Sequence, residues 1–430
     1  MLRPRALAAL AALALLCCRP TPGPGADFPP ADGRRLVFLG DSITQQGTYV
    51  RYVDAYLLTR FPGREVEVIN LGLSSETAAG TSEPDHPFPR PDVHDRLARA
   101  LGLARPDLLA VCYGMNDGIY SPLADDRFAA YRRGVESLVE AARKAGASVI
   151  VGTPPPFDPA PIRGKLRPAG GRDYGSQHPF DGYDGVLGRY GEWLLSKRLD
   201  GWPVADIHGA TLGFLALARV DEPGFALAGD GIHPGPDGHW LIARAYLEAW
   251  GAPAAVDSAV IDARLGTASE GDVRAIARDG DALAFSWTTR VPMPLDPKWS
   301  PKLLAAERVD ERFNRHPLVV TGLDRPRYGL YEGGRKVGEF AREELARGVN
   351  LARVPGLSTN RRAAEVFPLV AERAGLLGPA WLQAVGHGDP KMPEAPSLDQ
   401  AKARAAPIEA KIRELARPIP IGLRLVPEAG

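Results

Sequence analysis

The sequence predicts an α/β protein in which a parallel sheet carries helices on its faces, followed by an α+β extension. Short apolar and β-branched runs alternate with longer segments of helical period between residues 36 and 250. The connections between successive runs are long enough for crossover helices. The pattern changes after Gly251, and 430 residues with 45% hydrophobic and 24% charged residues suit a folded protein of about two domains.

Five strands and the helices between them follow from these runs. Apolar residues recur at Val50, Val53 and Leu57, which predicts a helix after the first strand. A second apolar stripe over residues 135–142 ends at Gly146, a natural residue after a helix, and Pro236 suits the start of the last helix of this block. We place the strands at residues 36–39, 66–71, 107–113, 148–152 and 204–207.

Residues 256–430 have a different pattern, which we assign to an α+β extension without identifiable chemistry. Strands are expected at 282–289 and 318–323, and a third region at 328–340 is broken by Gly333-Gly334, which suits a hairpin turn. Helices are expected at 363–374 and 397–415, where Pro368 and Pro407 should kink or restart the helix.

The N-terminus reads as a signal peptide over residues 1–25, with Arg3 and Arg5 before an apolar run of eleven residues. Such a run is too short for a membrane span, which needs about 20 residues. We therefore expect an exported protein, secreted or periplasmic. Lipid anchoring through Cys17 or Cys18 is the weaker alternative, because a bulky residue precedes each. Cys112, inside an apolar run, is expected to be a buried and inert thiol.

Charge and motif content exclude several classes of function. Lys+Arg and Asp+Glu are equal at 52 each, so no basic surface for nucleic acid or an anionic membrane is expected. A phosphate-binding glycine loop does not follow the first strand, and the histidines lack metal-ligand spacing. We therefore expect neither a cofactor nor a metal, and we interpret His239 as structural. The oligomeric state is left open.

Polar residues follow the predicted strands at the edge of the sheet where α/β proteins bind ligands. Asp41-Ser42 follows the first strand, Gly72 the second and Asn116-Asp117 the third, while Asp230 and His233 precede the last helix. Acyl transfer needs a hydroxyl, a base that activates it and a carboxylate that orients the base. We assign these roles to Ser42, His233 and Asp230. The N–H of Ser42, the N–H of Gly72 and the amide of Asn116 are the expected oxyanion donors.

These blocks, in this order and spacing, resemble those of the SGNH hydrolase superfamily, also called GDSL hydrolases. The resemblance covers residues 34–252 and implies a flavodoxin-like three-layer α/β/α sandwich. It also implies the same triad and the same oxyanion donors. Two details depart from the family: Ile43 replaces the leucine of the older name, and the segment after Gly72 lacks a second glycine that is often present.

Three further residues are candidates for substrate binding because they lie beside these blocks: Asp41, Asp117 and Tyr120. For Asp41 the alternative is a hydrogen-bond acceptor that stabilises its loop, and for Asp117 a helix or turn cap. The long connections at 73–91 and 154–184 are either walls of the site or solvated insertions without a role.

The sequence therefore predicts an exported serine esterase that forms an acyl-enzyme on a small or medium acyl ester. Its substrate is expected to be a small molecule or a polysaccharide, with carbohydrate deacetylation as one use that the resemblance suggests. A lipase-like or thioesterase activity and a non-catalytic carbohydrate-binding protein are the alternatives.

Overall fold

A computed structural model describes residues 28, 31–84, 86–386 and 395–428. The segment interpreted as a signal peptide, with Cys17 and Cys18, lies outside the described residues. No helix in the described part of the chain is long and apolar enough to cross a membrane.

The N-terminal part contains a five-stranded parallel sheet with strand order β2-β1-β3-β4-β5, the flavodoxin-like arrangement that the resemblance implies. Its strands are β1 (Arg35–Gly40), β2 (Glu67–Asn70), β3 (Leu108–Cys112), β4 (Ser148–Gly152) and β5 (Val204–Ala205). The predicted strands are confirmed to within about two residues, and the largest difference is at β5, which ends at Ala205 because a helix begins at Ile207.

Helices connect these strands. They are α1 (Ser42–Gln46), α2 (Thr48–Arg60), α3 (His94–Ala104), α4 (Asp125–Lys144), α5 (Tyr183–Ser196), α6 (Ile207–Asp221) and α7 (Pro236–Ala249). The three helices predicted from apolar spacing correspond to α2, α4 and α7. All five strands are almost completely apolar in their buried positions, as expected for a sheet covered on both faces.

The described part of the extension contains two further sheets, with strand orders β13-β10-β6-β7 and β12-β11-β14-β9-β8. The strands are β6 (Ala259–Asp262), β7 (Thr267–Glu270), β8 (Asp272–Asp279), β9 (Ala282–Thr289), β10 (Pro317–Thr321), β11 (Arg327–Glu332), β12 (Arg335–Ala341), β13 (Val349–Asn350) and β14 (Ile419–Pro427). The hairpin turn at Gly333-Gly334 is present, with φ values of 54° and 80°. Sequence patterns missed β6, β7, β8, β13 and β14.

The helices of the extension are α8 (Pro301–Glu307), α9 (Val309–Arg312), α10 (Arg342–Arg347), α11 (Ser358–Ala384) and α12 (Leu398–Ala416). The helices continue through the prolines, α11 through Pro368 and Pro379 and α12 through Pro407, so a restart is wrong and a kink stays a prediction. The packing of these two long helices on each other and on α2 offsets the hydrogen bonds that the prolines remove.

One hydrophobic cluster joins the two parts of the chain. Trp299, Phe313 and Trp381 of the extension belong to the same buried cluster as the parallel sheet. The rings of Trp299 and Phe313 pack against Trp240 of α7, and Trp299 also packs against Tyr52 of α2. The extension therefore covers the two helices that begin a few residues after Ser42 and His233.

Candidate active site

The end of β1 positions the serine. Asp41 caps α1 by accepting the N–H of Ile43 at 3.0 Å, and Ser42 is the first residue of that helix. Asp41 is buried, and this burial raises the pKa of its carboxyl to about 6, although the Ile43 N–H and His233 act in the opposite direction. Asp41 is not among the described residues that line the cleft. Its hydrogen bond from the Ile43 N–H therefore favours the alternative that it stabilises its loop.

The structure brings the three residues of the expected triad together. Ser42 Oγ lies 2.8 Å from His233 Nε2, and His233 Nδ1 lies 2.7 Å from Asp230 Oδ2. The serine is separated from the histidine by 191 positions in the sequence, so only the fold creates this contact. A hydroxyl in contact with an imidazole that also contacts a carboxylate can transfer its proton and act as a nucleophile.

The environment of Asp230 determines which nitrogen of His233 carries the proton. Burial alone would raise the pKa of Asp230, but hydrogen bonds from the His233 N–H, the imidazole and the Ile232 N–H outweigh it and lower the pKa. The carboxylate is thus ionised near neutral pH and can only accept, so Nδ1 of His233 is the donor. This leaves Nε2 free to accept the hydroxyl proton of Ser42.

The loop that carries Asp230 and His233 is fixed by the segment after β4. The N–H of Asp158 donates to the carbonyl of Gly231 at 2.9 Å. Gly231 has a φ of +78°, and a Cβ at this position would lie 2.6 Å from the carbonyl oxygen of Asp158, so a side chain would prevent this close approach. The loop therefore has a defined position although the side chains of Asp230 and His233 are 53% and 41% exposed.

Gly72 does not have a free N–H for an oxyanion. Its N–H donates to Asn70 Oδ1 at 2.9 Å, while Asn70 Nδ2 donates to the carbonyl of Thr44 at 2.7 Å. A Cβ at position 72 would lie 2.7 Å from Gln45 Cα and closer still to the backbone around it. The absence of a side chain thus lets α1 pack on the end of β2, and this glycine positions the helix that carries Ser42.

Ser75 follows Gly72 by three positions in the same loop and lines the cleft. The turn around it is closed by the Glu76 N–H, which donates to the carbonyl of Leu73 at 3.3 Å, and Ser75 has a φ of +65°. Glycine is the usual residue at a turn position with a positive φ, so Ser75 adopts here a conformation that favours glycine. Its N–H has no acceptor among the described residues, and Ser75 lines the same cleft as Ser42. Sequence reasoning missed Ser75 because serine gives no signal of a left-handed conformation.

Asn116 follows β3 and lines the cleft with its amide. Its Nδ2 donates to the carbonyl of Glu76 at 3.1 Å, and its Oδ1 accepts the phenolic hydrogen of Tyr120 at 3.0 Å. An amide nitrogen has two hydrogens, so one remains for a ligand in the cleft. Tyr120 lines the cleft as expected for a substrate-binding residue, but its hydroxyl is bonded to Asn116.

Asp117 is completely buried and supports the backbone beside the cleft. Its Oδ1 accepts the N–H groups of Ala78 and Ala79, each at 2.8 Å, and it is absent from the described lining of the cleft. Burial raises its pKa to about 7, although the two N–H groups lower it. These contacts favour the turn-cap alternative over substrate binding.

Glu76 fixes the position of the loop between β2 and α3 through buried contacts. Its carboxylate forms a fully buried ion pair with Arg96 and accepts the hydroxyl of Tyr113 at 2.6 Å. Arg96 also donates to the carbonyl of Leu71 at 2.7 Å. The loop between β2 and α3 is thus held by charge-assisted hydrogen bonds that are shielded from solvent.

The cleft around the triad has a volume of about 230 Å³. The long connections at 73–91 and 154–184 both contribute residues to the lining of the cleft. This favours the expectation that they form walls of the site over the alternative of solvated insertions without a role. Most of the side chains that line the cleft are polar. The lining consists of Ser42, Ser74, Ser75, His86, Arg90, Asn116, Tyr120, Ile162, Lys165, Ser176, Gln177, Asp230, Ile232 and His233.

His239 and Cys112, to which the sequence analysis gives no role in the reaction, lie in the core. Burial lowers the pKa of His239 to about 3 and raises the pKa of the Cys112 thiol. His239 stacks on Tyr49 in the core, which agrees with its structural interpretation, and Cys112 is a free, buried thiol in the sheet, as expected. Within the described ranges, no group of three or more His, Cys, Asp or Glu side chains is arranged to hold a metal ion.

Comparisons with known proteins concern the family and the fold. Residues 38–241 match the model of the GDSL-like lipase/acylhydrolase family. A solved gut microbial diltiazem-metabolizing enzyme is 22% identical and aligns over 93% of this chain and 99% of its own, with a TM-score of 0.74. This similarity extends the shared fold through the C-terminal extension.

Two other solved structures align only with about half of the chain. An α/β hydrolase from the metagenome of Lake Arreo, Spain, is 26% identical over 52% of this chain and 97% of its own, with a TM-score of 0.38. The acetylxylan esterase Axe2 from Geobacillus stearothermophilus is 22% identical over 52% of this chain and 96% of its own, with a TM-score of 0.39. We found no significant match among curated proteins.

The predicted fold, family and enzyme class are thus confirmed: an α/β domain with a parallel sheet, followed by an α+β extension. The chain contains a domain of the GDSL-like lipase/acylhydrolase family, residues 38–241, and is an ester hydrolase of the SGNH type.

Proposed function

We propose that the chain hydrolyses small acyl esters through a covalent acyl-enzyme on Ser42. The observation that carries this proposal is the continuous contact from Ser42 Oγ to His233 Nε2, at 2.8 Å, and from His233 Nδ1 to Asp230 Oδ2, at 2.7 Å. Ser42 Oγ attacks the acyl carbon while Nε2 accepts its proton, and the carboxylate of Asp230 stabilises the imidazolium. The same proton then passes from His233 to the departing alcohol. In the second half of the reaction His233 accepts a proton from water, which attacks the acyl-enzyme, and then returns that proton to Ser42 Oγ.

The oxyanion of each tetrahedral intermediate is stabilised by three donors. Two are backbone N–H groups, from Ser42 and Ser75, and the third is the Nδ2 hydrogen of Asn116 that Glu76 does not use. Ser75 replaces Gly72 in this assignment because the N–H of Gly72 already donates to Asn70. Preorganised donors of this kind stabilise the transition state because they need no reorganisation during the reaction.

The lining of the cleft supports a short acyl group and a polar alcohol. Ile162 and Ile232 are the aliphatic side chains among its described residues, whereas Ser74, Ser176 and Gln177 offer hydroxyl and amide groups. A long acyl chain would bury little apolar surface here, which opposes a lipase-like activity. An O-acetylated sugar, free or within a polysaccharide, combines a short acyl group with a polar alcohol and is the substrate class that we propose.

A fluorophosphonate probe tests the nucleophile directly, since it labels an activated serine irrespective of the natural ester. We expect labelling of the native protein and none of Ser42→Ala. The matched control is Ser196→Ala, at the end of α5, whose exposed hydroxyl donates to the carbonyl of Trp193 at 2.6 Å. Unlabelled, folded native protein would exclude the acyl-enzyme and favour the non-catalytic binding protein.

Rates on p-nitrophenyl esters of increasing acyl length test the substrate class. We expect the highest kcat/KM for acetyl or butyryl esters and a decline for longer chains. Rates that increase beyond eight carbons would contradict the proposal and favour the lipase-like alternative. Release of acetate from acetylated sugars and polysaccharides then separates a carbohydrate esterase from a general short-chain esterase.

We further propose that the chain is exported, on the basis of the apolar segment that follows Arg3 and Arg5. Fractionation of the source cells, with N-terminal sequencing of the mature protein, tests this proposal. A chain recovered in the cytoplasm with Met1 or Leu2 at its N-terminus would contradict it.

A further inference from the structure

The amide of Asn116 is held in one orientation by two partners of opposite character. Its Oδ1 accepts a hydrogen bond from the hydroxyl of Tyr120 at 3.0 Å, and its Nδ2 donates to the carbonyl of Glu76 at 3.1 Å. An amide oxygen can only accept, so the Tyr120 hydroxyl must be the donor. In this orientation the second Nδ2 hydrogen is available to the cleft.

The orientation matters because the two ends of an amide have the same shape and opposite polarity. A rotation of 180° about the Cβ–Cγ bond of Asn116 would exchange its Oδ1 and Nδ2. The cleft would then receive an acceptor where an oxyanion requires a donor. The Glu76 carbonyl can only accept, so it opposes this rotation. The Tyr120 hydroxyl can donate or accept, so it holds the outer end of the Asn116 amide in place without selecting its polarity. Without the hydroxyl, the Asn116 amide keeps its contact with Glu76 but loses the hydrogen bond that anchors its other end.

Tyr120 is itself held by a buried ion pair. The guanidinium of Arg90 lies 5.5 Å from the centre of the Tyr120 ring, and its Nη2 donates to Glu83 Oε1 at 2.6 Å. The side chains of Arg90 and Glu83 are only 2% and 3% exposed. Arg90 Nη1 also donates, at 3.4 Å, to the carbonyl of Ser75. One guanidinium therefore contacts both the ring that orients Asn116 and the turn that carries the Ser75 N–H.

The backbone supports the same conclusion. Ile119 and Tyr120 are consecutive residues with φ values of 47° and 55°. Left-handed conformations at non-glycine residues cost free energy and persist where the surrounding contacts determine them. Here the strained pair turns the Tyr120 side chain back towards Asn116, four positions earlier in the sequence.

We infer that Tyr120 is a positioning residue that orients the Asn116 amide towards the oxyanion, and that Arg90 holds Tyr120 and the Ser75 turn in place. This inference rests on the proposed acyl-transfer function. In this role the Tyr120 hydroxyl donates to Asn116 and does not bind the substrate. Removal of the hydroxyl should therefore lower kcat and leave KM unchanged.

Tyr120→Phe tests the inference because it removes the hydroxyl and keeps the ring. We expect kcat on p-nitrophenyl acetate to fall about tenfold, the equivalent of one hydrogen bond, with KM unchanged. The rate of fluorophosphonate labelling should fall by a similar factor, since the phosphonyl oxygen occupies the oxyanion site. The matched control is Tyr174→Phe, whose hydroxyl donates to the carbonyl of Pro168 at 2.8 Å and which should match the native protein.

Arg90→Lys provides the second variant, because lysine keeps the charge but cannot form the bidentate pair with Glu83. We expect a lower kcat at unchanged KM, and a double variant whose loss is smaller than the product of the two single losses. A native kcat in Tyr120→Phe, or an increase in KM alone, would overturn the inference. Turnover in Ser42→Ala would instead overturn the proposed function, so the two failures are distinguishable.

Discussion

Trp299 of the extension lies with its ring centre 4.7 Å from that of Trp240, which is on the helix that follows His233. The indole N–H of Trp299 also donates to the hydroxyl of Tyr52 at 3.0 Å, on the helix that follows Ser42. These contacts join the extension to the two helices next to the candidate site. The extension is therefore part of the folded core of the protein.

Trp299→Ala should lower the free energy of unfolding by about 3–5 kcal/mol, the usual cost of removing a buried tryptophan. Urea unfolding followed by fluorescence measures this change. The control is Leu265→Ala, a side chain in the extension that is 74% exposed, which should change stability by less than about 0.5 kcal/mol. Equal effects of the two substitutions would contradict a core role for the extension.

Gly72→Ala should both destabilise the protein and reduce kcat. A Cβ at this position collides with the backbone of Thr44 and Gln45, so α1 and Ser42 must move. We expect a loss of about 1–3 kcal/mol, as for overpacking of a core. Gly213→Ala in α6, where a Cβ meets nothing within 4 Å, is the control and should not destabilise. If Gly72→Ala keeps native stability and kcat, the close approach of α1 is not required.

Ser75→Gly should retain kcat, because the proposed donor is the backbone N–H and not the hydroxyl. Glycine adopts the φ of +65° without strain, so the free energy of unfolding should stay equal or increase, by up to about 1 kcal/mol. Steady-state kinetics and thermal unfolding measure the two effects. A loss of kcat greater than tenfold would show that the hydroxyl of Ser75 takes part in the reaction.

Asn116→Ala should lower kcat by about 10²–10³ with little change in KM, the usual effect of removing one oxyanion donor. Kinetics on p-nitrophenyl acetate separate the two parameters. Circular dichroism of the variant controls for the loss of the Glu76 contact. A pure increase in KM would place Asn116 in substrate binding.

Asp117 should make the protein less stable as the pH rises from about 4 to 7. Burial raises its pKa to about 7 in the folded state, so the folded state retains a proton that the unfolded chain loses near 3.8. The stabilisation is complete below the lower value and is lost as the pH rises through the upper one. Asp41, with a pKa of about 6 for the same reason, contributes in the same direction.

Asp117→Asn should flatten this dependence, by at most a few kcal/mol at about 1.4 kcal/mol per pKa unit. Urea unfolding at pH 4.5 and 7.5 measures the difference. The control is Asp125→Asn at the exposed start of α4, which removes the same charge without changing a buried contact. An unchanged slope in Asp117→Asn would mean that this carboxyl is not the source.

The sequence by itself determined the parallel sheet, its helices and the three residues of the proposed triad. Apolar runs define buried strands locally, and the carboxyl ends of parallel strands meet at one edge, so Ser42, Asn116 and His233 could be assigned to one site. The proposed roles of Gly72 and Ser75 depend on backbone hydrogen bonds and a φ angle, which residue type does not specify. The same holds for β14, which enters its sheet between β9 and β11 although it follows β9 by about 130 positions. Tertiary structure decided these features, because they arise from contacts between segments that are distant in the chain.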